Sequence, residues 1–244
     1  MLTKSKIQYI RNLHNKKGRY ELGRFLVEGK KSINEVICSG LEIVEGFFVD
    51  NWISPLKVNF PATLISQKEL ARITTLRSNR DGIVIVKIPK NTSIIQEKSP
   101  NITLVLDSIN DPGNLGTILR IADWYGISKI IASEDTVDIY NPKTLIASMG
   151  SFSRVFIQYK NLQKYLESVE TPIFGADLDG ENLHGFNFPE NTPIHLVIGS
   201  ESHGISPEVK KLLTRKITIP RFGHAESLNA GVATAVILDR MVGK

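Results

Sequence analysis

The stretch Asp111-Pro-Gly-Asn-Leu-Gly-Thr-Ile-Leu-Arg120 joins a predicted buried strand, residues 102–106, to a predicted helix, residues 115–125. Its Asp-Pro dipeptide predicts a turn, its two glycines remove side-chain bulk, and Asn114 is expected to cap the helix that carries Arg120. A strand, a glycine-containing turn and a helix N-terminus together form a plausible anion site. The stretch therefore predicts an open α/β sheet with a ligand at its edge.

Two later stretches also follow predicted strands. Ile198-Gly-Ser-Glu-Ser-His-Gly-Ile205 follows the strand at 194–198, and Ile219-Pro-Arg-Phe-Gly-His-Ala-Glu-Ser-Leu-Asn229 follows the strand at 216–219. Both place glycines and short polar side chains where ligands bind in open sheets, so we expect all three stretches to meet in space. His203 is interpreted as a turn residue rather than a catalytic base, because it stands alone between Ser and Gly.

Glycine spacing makes two common nucleotide sites poor candidates. The first stretch lacks the Lys-Ser/Thr ending of a phosphate-binding P-loop, and its two glycines are too few and wrongly spaced for a dinucleotide fingerprint. In the third stretch Ser227 or Asn229 is expected to cap the last helix. Capping alone would account for both Ser227 and Asn229, so the sequence does not decide whether their role is structural or functional.

Helices and strands alternate along the chain. The polar segment 89–101, bounded by prolines, predicts a linker with a domain boundary near residue 95. Residues 1–95 predict a small α/β domain, and the regular alternation in 96–244 predicts a mainly parallel sheet covered by helices. The predicted helices are 4–14, 30–39, 115–125, 142–149 and 227–241, and the predicted strands are 24–28, 43–49, 82–88, 102–106, 129–132, 155–159, 172–176, 194–198 and 216–219.

The last predicted helix is apolar on nearly every side and rich in small residues. A helix of this kind is expected to be buried, and its small residues permit close approach of a neighbouring backbone. Either the sheet or a second subunit could cover it.

Composition excludes several classes of protein. The 244 residues include one cysteine and five scattered histidines, so neither an internal disulfide nor a metal site is expected. No apolar run approaches about 20 residues, and the N-terminus lacks the pattern of a signal peptide. We therefore expect a soluble protein of the cytoplasm with no membrane partner.

Positive charge is concentrated in the N-terminal part. Residues 1–100 hold 17 basic against 9 acidic side chains, whereas residues 101–244 hold 13 against 16. This asymmetry suits a polyanion such as RNA, although a solvated basic surface without a partner has the same pattern. Basic residues within the first 31 positions are Lys4, Lys6, Arg11, Lys16, Lys17, Arg19, Arg24, Lys30 and Lys31.

The three stretches, taken as an ordered set, closely resemble the three motifs of the SpoU or TrmH branch of the SPOUT RNA methyltransferases. The resemblance covers about residues 100–244 and is carried by Asn114, Arg120, the Gly-Ser-Glu segment at 199–201, Gly204, and the residues Ile219, Pro220, Gly223, Ser227, Leu228 and Asn229. Residues 1–95, with Phe25-Leu-Val-Glu-Gly29, resemble more loosely the ribosomal-protein-like RNA-binding domain of many family members.

The resemblance implies a homodimeric enzyme that transfers a methyl group from S-adenosylmethionine to a ribose 2′-hydroxyl of RNA. It also implies a SPOUT α/β domain with a deep C-terminal trefoil knot, a feature that periodicity cannot reveal. The implied cofactor-binding residues are Gly199, Ile219 and Leu228 with Ser227 and Asn229, and the implied catalytic residues are Arg120, Asn114, Glu201, Ser227 and Asn229.

Ribosomal RNA is the preferred substrate because the N-terminal domain resembles ribosomal RNA binders. Transfer RNA, methylation of a base, and a non-catalytic ribosome-assembly factor are the alternatives. For Arg120 we favour a clamp on the adjacent phosphate, because a guanidinium stays protonated in proteins and is a poor base.

Overall fold

The computed structural model describes residues 1–50, 58–76, 78–89, 101–189 and 192–242. The chain forms two compact units, Met1–Thr92 with Asp138–Ser153, and Ser93–Val137 with Arg154–Lys244. Most of the predicted linker, with the boundary near residue 95, falls outside the described residues. The segment Asp138–Ser153 belongs to the N-terminal unit, a return of the chain that differs from the continuous domain 96–244 expected from the sequence.

Nine helices and ten strands lie within the described ranges. The helices are α1 (Lys4–Asn12), α2 (Lys16–Leu22), α3 (Lys30–Cys38), α4 (Gln67–Leu70), α5 (Pro112–Trp124), α6 (Pro142–Ser148), α7 (Leu162–Glu167), α8 (Pro207–Lys210) and α9 (Ala230–Val242). The strands are β1 (Arg24–Glu28), β2 (Ile43–Phe48), β3 (Ala62–Leu64), β4 (Gly82–Lys87), β5 (Ile102–Asp107), β6 (Lys129–Ala132), β7 (Phe156–Tyr159), β8 (Ile173–Asn182), β9 (Ile194–Gly199) and β10 (Arg215–Thr218).

The sheet of the N-terminal unit has the order β1-β4-β2-β3, with β4 antiparallel to both of its neighbours. Successive side chains of a strand point to opposite faces, so both faces of β1 and β4 are used. Leu26, Ile83 and Ile85 pack with Ile7 and Ile10 of α1 on one face. The buried Phe25 lies on the other face.

The returning segment Asp138–Ser153 covers Phe25. The rings of Tyr140 and Phe152 lie 4.4 and 6.1 Å from the Phe25 ring, centroid to centroid. A buried ion pair joins this segment to α2, because Arg19 Nη2 lies 2.6 Å from Asp138 Oδ2 and each side chain is only 3% exposed. The Tyr20 hydroxyl donates a hydrogen bond to the other Asp138 oxygen at 3.0 Å. The segment is thus part of this unit's core.

The second unit contains six strands in the order β10-β8-β9-β5-β6-β7, and all five pairings are parallel. The predicted parallel α/β sheet is therefore confirmed. The register of β5 and β9 places Asp107 opposite Gly199, so the loops that carry the first two motifs leave the sheet at the same edge. The C-terminal knot stays a prediction, since strand order alone does not define a knot.

Helix α9 is only partly covered within one chain, although its sequence is apolar on nearly every side. Gly231, Thr234 and Leu238 are buried, whereas Val232 and Val236 are exposed. A Cβ at Gly231 would lie 2.8 Å from Thr117 Cγ2, so this glycine permits close approach of α5. None of the described helices is long and apolar enough to cross a membrane.

We expect Asp138→Ala to lower the free energy of unfolding by about 3–5 kcal/mol, because it leaves the buried Arg19 guanidinium without its counter-charge. The exposed pair formed by Lys17 and Glu21, 3.7 Å apart, is the matched control, and Lys17→Ala should cost about 0.5 kcal/mol or less. Urea denaturation of both variants measures the difference. Equal losses would contradict a structural role for the buried pair.

Candidate active site

The first motif forms the start of α5. Asp111, rather than the predicted Asn114, is the N-cap: its Oδ1 accepts a hydrogen bond of 2.8 Å from the Asn114 backbone N–H. Pro112 fits the first helical turn, where a backbone donor has no partner within the helix. Because Asp111 takes the capping role, the Asn114 side chain is available for another contact.

Asn229 joins the three motifs through its side-chain amide. Its Nδ2 donates hydrogen bonds of 2.7 Å to both Asn114 Oδ1 and Glu201 Oε1. Its Oδ1 accepts from the backbone N–H groups of Gly231 and Val232, at 3.0 and 3.3 Å, and so caps α9. The cap fixes which way the amide faces, because the oxygen must point to the helix and the nitrogen to the cluster. Asn229, and not Ser227, is therefore the cap.

The second motif turns sharply at Gly199. A Cβ on this residue would lie 2.2 to 2.3 Å from backbone atoms of Gly204 and Ile205, so only glycine fits. The backbone groups of Ser200 and Gly204 exchange two hydrogen bonds, of 3.1 and 2.9 Å, and close the loop that carries Glu201. His203 is exposed in this turn, where its ring Nδ1 is hydrogen-bonded to Ser202 and its backbone N–H donates to Ser200.

Asp107 anchors the far end of this loop, a role that the sequence did not predict. Its buried carboxylate accepts a hydrogen bond of 2.7 Å from the Ser206 backbone N–H. An acidic residue directly after the apolar run of β5 was the available signal, because a buried carboxylate at a strand end requires a nearby donor.

A cavity of about 570 Å³ opens between the second and third motifs, a volume within the range of small-molecule sites. Of the predicted residues, its lining includes Gly199, Glu201, Ile219, Ser227 and Leu228 but not Asn114, Asn229 or Arg120. The middle of β8 and three residues of α9, Ala230, Ala233 and Ile237, complete the wall. The hydrogen-bonded cluster meets the cavity at Glu201.

Asp177 and Lys210 form a charged pair on the cavity wall that sequence inspection missed. Lys210 Nζ lies 2.8 Å from Asp177 Oδ2. Burial alone would raise the pKa of the Asp177 carboxyl, but the hydrogen bond and charge of Lys210 lower it overall. The Asp177 carboxyl therefore stays ionised at neutral pH, and nothing in the spacing of Asp177 and Lys210 could have indicated the pair.

Arg120 is the predicted residue that the structure does not bring to the cluster. It is exposed on α5, one turn beyond Thr117, on the same helix face as the exposed Trp124. Within the described part of the chain, its guanidinium has no hydrogen-bond or ion-pair partner. Any role in the site must therefore involve RNA, a rearrangement or a second copy of the chain.

The basic N-terminal residues do not form one continuous charged surface. Arg19 is buried with Asp138, and Lys6 Nζ lies 2.9 Å from Glu45 Oε1. Arg19 was therefore wrongly included in the predicted polyanion surface. The exposed basic side chains of the first 31 residues are Lys4, Arg11, Lys16, Lys17, Lys30 and Lys31. In the described ranges no group of His, Cys, Asp and Glu is arranged to hold a metal ion.

Two family models match this chain. The SpoU rRNA Methylase family matches residues 101–239, and the MRM3-like substrate binding domain matches residues 4–84. The first match contains all three motifs and more than half of the chain.

Several known proteins are similar to this chain over nearly its whole length. The 23S rRNA (guanosine(2553)-2′-O)-methyltransferase RlmP of Bacillus subtilis is 26% identical over 98% of this chain and 96% of its own. A TrmH-family structure from Porphyromonas gingivalis superposes with a TM-score of 0.87 at 32% identity, covering 98% of both chains. An AdoMet-bound rRNA methyltransferase from Sinorhizobium meliloti superposes with a TM-score of 0.85 at 26% identity, covering 98% of this chain and 95% of that one.

We expect Gly199→Ala to lower the free energy of unfolding by about 1–3 kcal/mol or more, since the new Cβ must displace the Gly204 backbone. Gly185→Ala is the matched control in the same unit, because nothing lies within 4 Å of a Cβ there; its effect should stay within about 0.5 kcal/mol. Denaturant midpoints of both variants test this. Equal stability of the two would show that the loop can shift freely.

Proposed function

Because the chain belongs to the SpoU rRNA methylase family, we propose that it transfers a methyl group from S-adenosylmethionine to a ribose 2′-hydroxyl of ribosomal RNA. The observation that carries the proposal is the hydrogen-bonded cluster of Asn114, Asn229 and Glu201 at the 570 Å³ cavity. The three residues come from three separate motifs, and these motifs follow one another along the chain in the order seen in the family.

The cavity residues fit S-adenosylmethionine, which supplies when bound a methyl group already activated on a sulfonium. Gly199 leaves the strand end free of side-chain bulk, so main-chain groups can contact a ligand. Ile219 and Leu228 give the wall apolar surface, with Ser227 beside them. Glu201 adds a negative charge to the lining, which favours a cationic ligand over its neutral product.

The residues of the chain have to align the ribose hydroxyl and assist the loss of its proton. The Asn114 amide nitrogen can donate a hydrogen bond to the hydroxyl, because only the oxygen of this amide is used by Asn229. Asn229 positions Asn114 and is itself held by Glu201 and by its cap on α9. A guanidinium is a poor base, so the role of Arg120 is to clamp an RNA phosphate and stabilise developing charge on the ribose oxygen. A phosphate oxygen or water takes the proton.

Relatives that match this chain almost from end to end favour ribosomal RNA over transfer RNA as the substrate. RlmP, matched over 98% of this chain, is named for 23S rRNA. The N-terminal match to a substrate-binding domain agrees with this choice, and we assign RNA recognition to the unit formed by Met1–Thr92 and Asp138–Ser153. An enzyme with this substrate works in the cytoplasm, among ribosomes.

The direct test is to map 2′-O-methyl positions in total RNA from cells with and without the protein. The proposal expects one or a few ribosomal positions to lose methylation, and purified protein with S-adenosylmethionine should restore them in vitro. Loss of methylation confined to transfer RNA would show that transfer RNA is the substrate. A methyl group found on a base would show that the enzyme methylates bases and not ribose. Failure of calorimetry to detect S-adenosylmethionine binding would favour the non-catalytic assembly factor.

We further propose that two copies form a homodimer through α5 and α9. Val232 and Val236 of α9 and Trp124 of α5 are exposed apolar side chains, and the two helices pack against each other near Thr117 and Gly231. A second copy would remove this apolar surface from water. Arg120 stands beside it, so the dimer would present Arg120 of one copy to the cluster of the other.

Arg120→Lys is expected to reduce kcat/KM for RNA at least tenfold, because an ammonium cannot bind a phosphate in the bidentate manner of a guanidinium. Binding of S-adenosylmethionine should be unchanged, since Arg120 does not line the cavity. Steady-state kinetics and calorimetry measure the two effects. Near-normal turnover by the lysine variant would remove the basis for the clamp.

A mixing experiment tests the dimer and the supply of Arg120 together. Arg120→Ala and Glu201→Ala should each be inactive, but an equimolar mixture refolded together should regain about a quarter of wild-type activity, because each mixed dimer then has one complete site. Val236→Asp, which charges the proposed interface, should shift the sedimentation mass to that of a monomer. No recovery in mixtures proven to contain mixed dimers would place Arg120 in its own chain's site.

A further inference from the structure

Three large apolar side chains that line the cavity are exposed: Leu228, which is 47% exposed, and two others that are exposed further and contribute nothing to the core. Phe222 is 95% exposed and Leu178 is 71% exposed, and both line the cavity opening. They belong to different elements, Leu178 to β8 and Phe222 to the segment between β10 and α9. Single exposed apolar residues are common on surfaces, but two that border the same cavity indicate contact with a partner.

The segment that presents Phe222 is held in shape by its own contacts. Pro220 restricts the backbone before it, and the Arg221 Nη1 donates a hydrogen bond of 3.3 Å to the Ala225 carbonyl oxygen. Gly223 follows directly, and no atom lies within 4 Å of a Cβ built on it. A turn with an internal hydrogen bond therefore presents the Phe222 ring, and almost the whole surface of that ring is accessible.

We propose that Phe222 is a stacking platform for the base of the nucleotide whose ribose is methylated. The inference rests on the proposed function, because a ribose whose 2′-hydroxyl reaches this cavity brings its base to the rim. Every base has a π-face that an aromatic ring can stack on, so Phe222 adds binding energy without selecting a sequence. Leu178, on β8, adds apolar surface to the lining of the same cavity.

Neither the cofactor nor a second protein chain explains this ring as well. Phe222 and the cofactor-assigned Leu228 both line the cavity, but Phe222 is 95% exposed and Leu228 only 47%, so Phe222 has more surface left for a ligand besides the cofactor. The apolar residues assigned to the dimer, Val232, Val236 and Trp124, lie on α9 and α5. Phe222 lies in the preceding loop, on the same segment as the cavity-lining Ser227 and Leu228.

Phe222→Leu and Phe222→Trp separate stacking from simple apolar contact. Leucine keeps apolar volume but has no π-face, so kcat/KM for a 23S rRNA fragment that contains the mapped site should fall about tenfold; tryptophan should retain it. An abasic ribose at the target position should lower wild-type kcat/KM by a similar factor and remove the difference between wild type and Phe222→Leu. The affinity for S-adenosylmethionine and the sedimentation mass should not change.

The outcomes distinguish this inference from the function on which it rests. Equal kcat/KM for wild type and Phe222→Leu overturns the stacking role while leaving methyl transfer intact. Weaker binding of S-adenosylmethionine assigns the ring to the cofactor, and a monomeric variant assigns it to the dimer. If wild type methylates no RNA, the proposed function fails, and a fluorescence measurement then tests the stacking by itself. The indole introduced by Phe222→Trp should be quenched by 23S rRNA more than the fluorescence of wild type is. Absence of that additional quenching refutes the stacking platform.

Discussion

The orientation of the Asn229 amide is the constraint on which the site depends. The oxygen of this group caps α9, so the nitrogen must face Glu201 and Asn114. A helix start thereby determines the geometry of a polar cluster, and the cluster in turn connects loops that are separated by more than a hundred residues in the chain. Stability and function share one side chain, because the same amide serves the helix and the site.

The loop of Glu201 is positioned by two further constraints that act on the backbone. Gly199 lets the chain turn back against itself, and Asp107 holds the other end through the Ser206 N–H. With both ends fixed, Glu201 has little freedom in where it places its charge. A polar group that is already in place needs no reorganisation energy when the reaction occurs, and preorganised groups of this kind contribute most to the rates of enzymes.

Local sequence patterns predicted nine of the ten described strands, the parallel sheet and the meeting of the three motifs, because apolar runs and glycine turns act over a few residues. They missed the three-residue strand β3 and the short helices α2, α4, α7 and α8, whose four to seven residues are too few to show a clear periodicity. Asn114 was predicted as a helix cap although Asp111 takes that position, since both residue types cap well and spacing does not choose between them. The burial of Arg19 and the return of Asp138–Ser153 were not predictable, because both depend on a pairing across 119 residues. Whether the sheet or a second subunit covers the last helix was left open, because an apolar sequence does not reveal which of its residues, such as Val232 and Val236, stay exposed within one chain.

The return of Asp138–Ser153 also affects how such a protein can evolve. The chain passes between its two units at three places, after Thr92, after Val137 and after Ser153. Recombination at a single junction would separate Phe25 from Tyr140 and Arg19 from Asp138. An exchanged N-terminal unit would then expose an aromatic core and a buried charge. An exchanged N-terminal unit therefore needs a matching Asp138–Ser153 segment, because Arg19 and Phe25 require the side chains that this segment supplies.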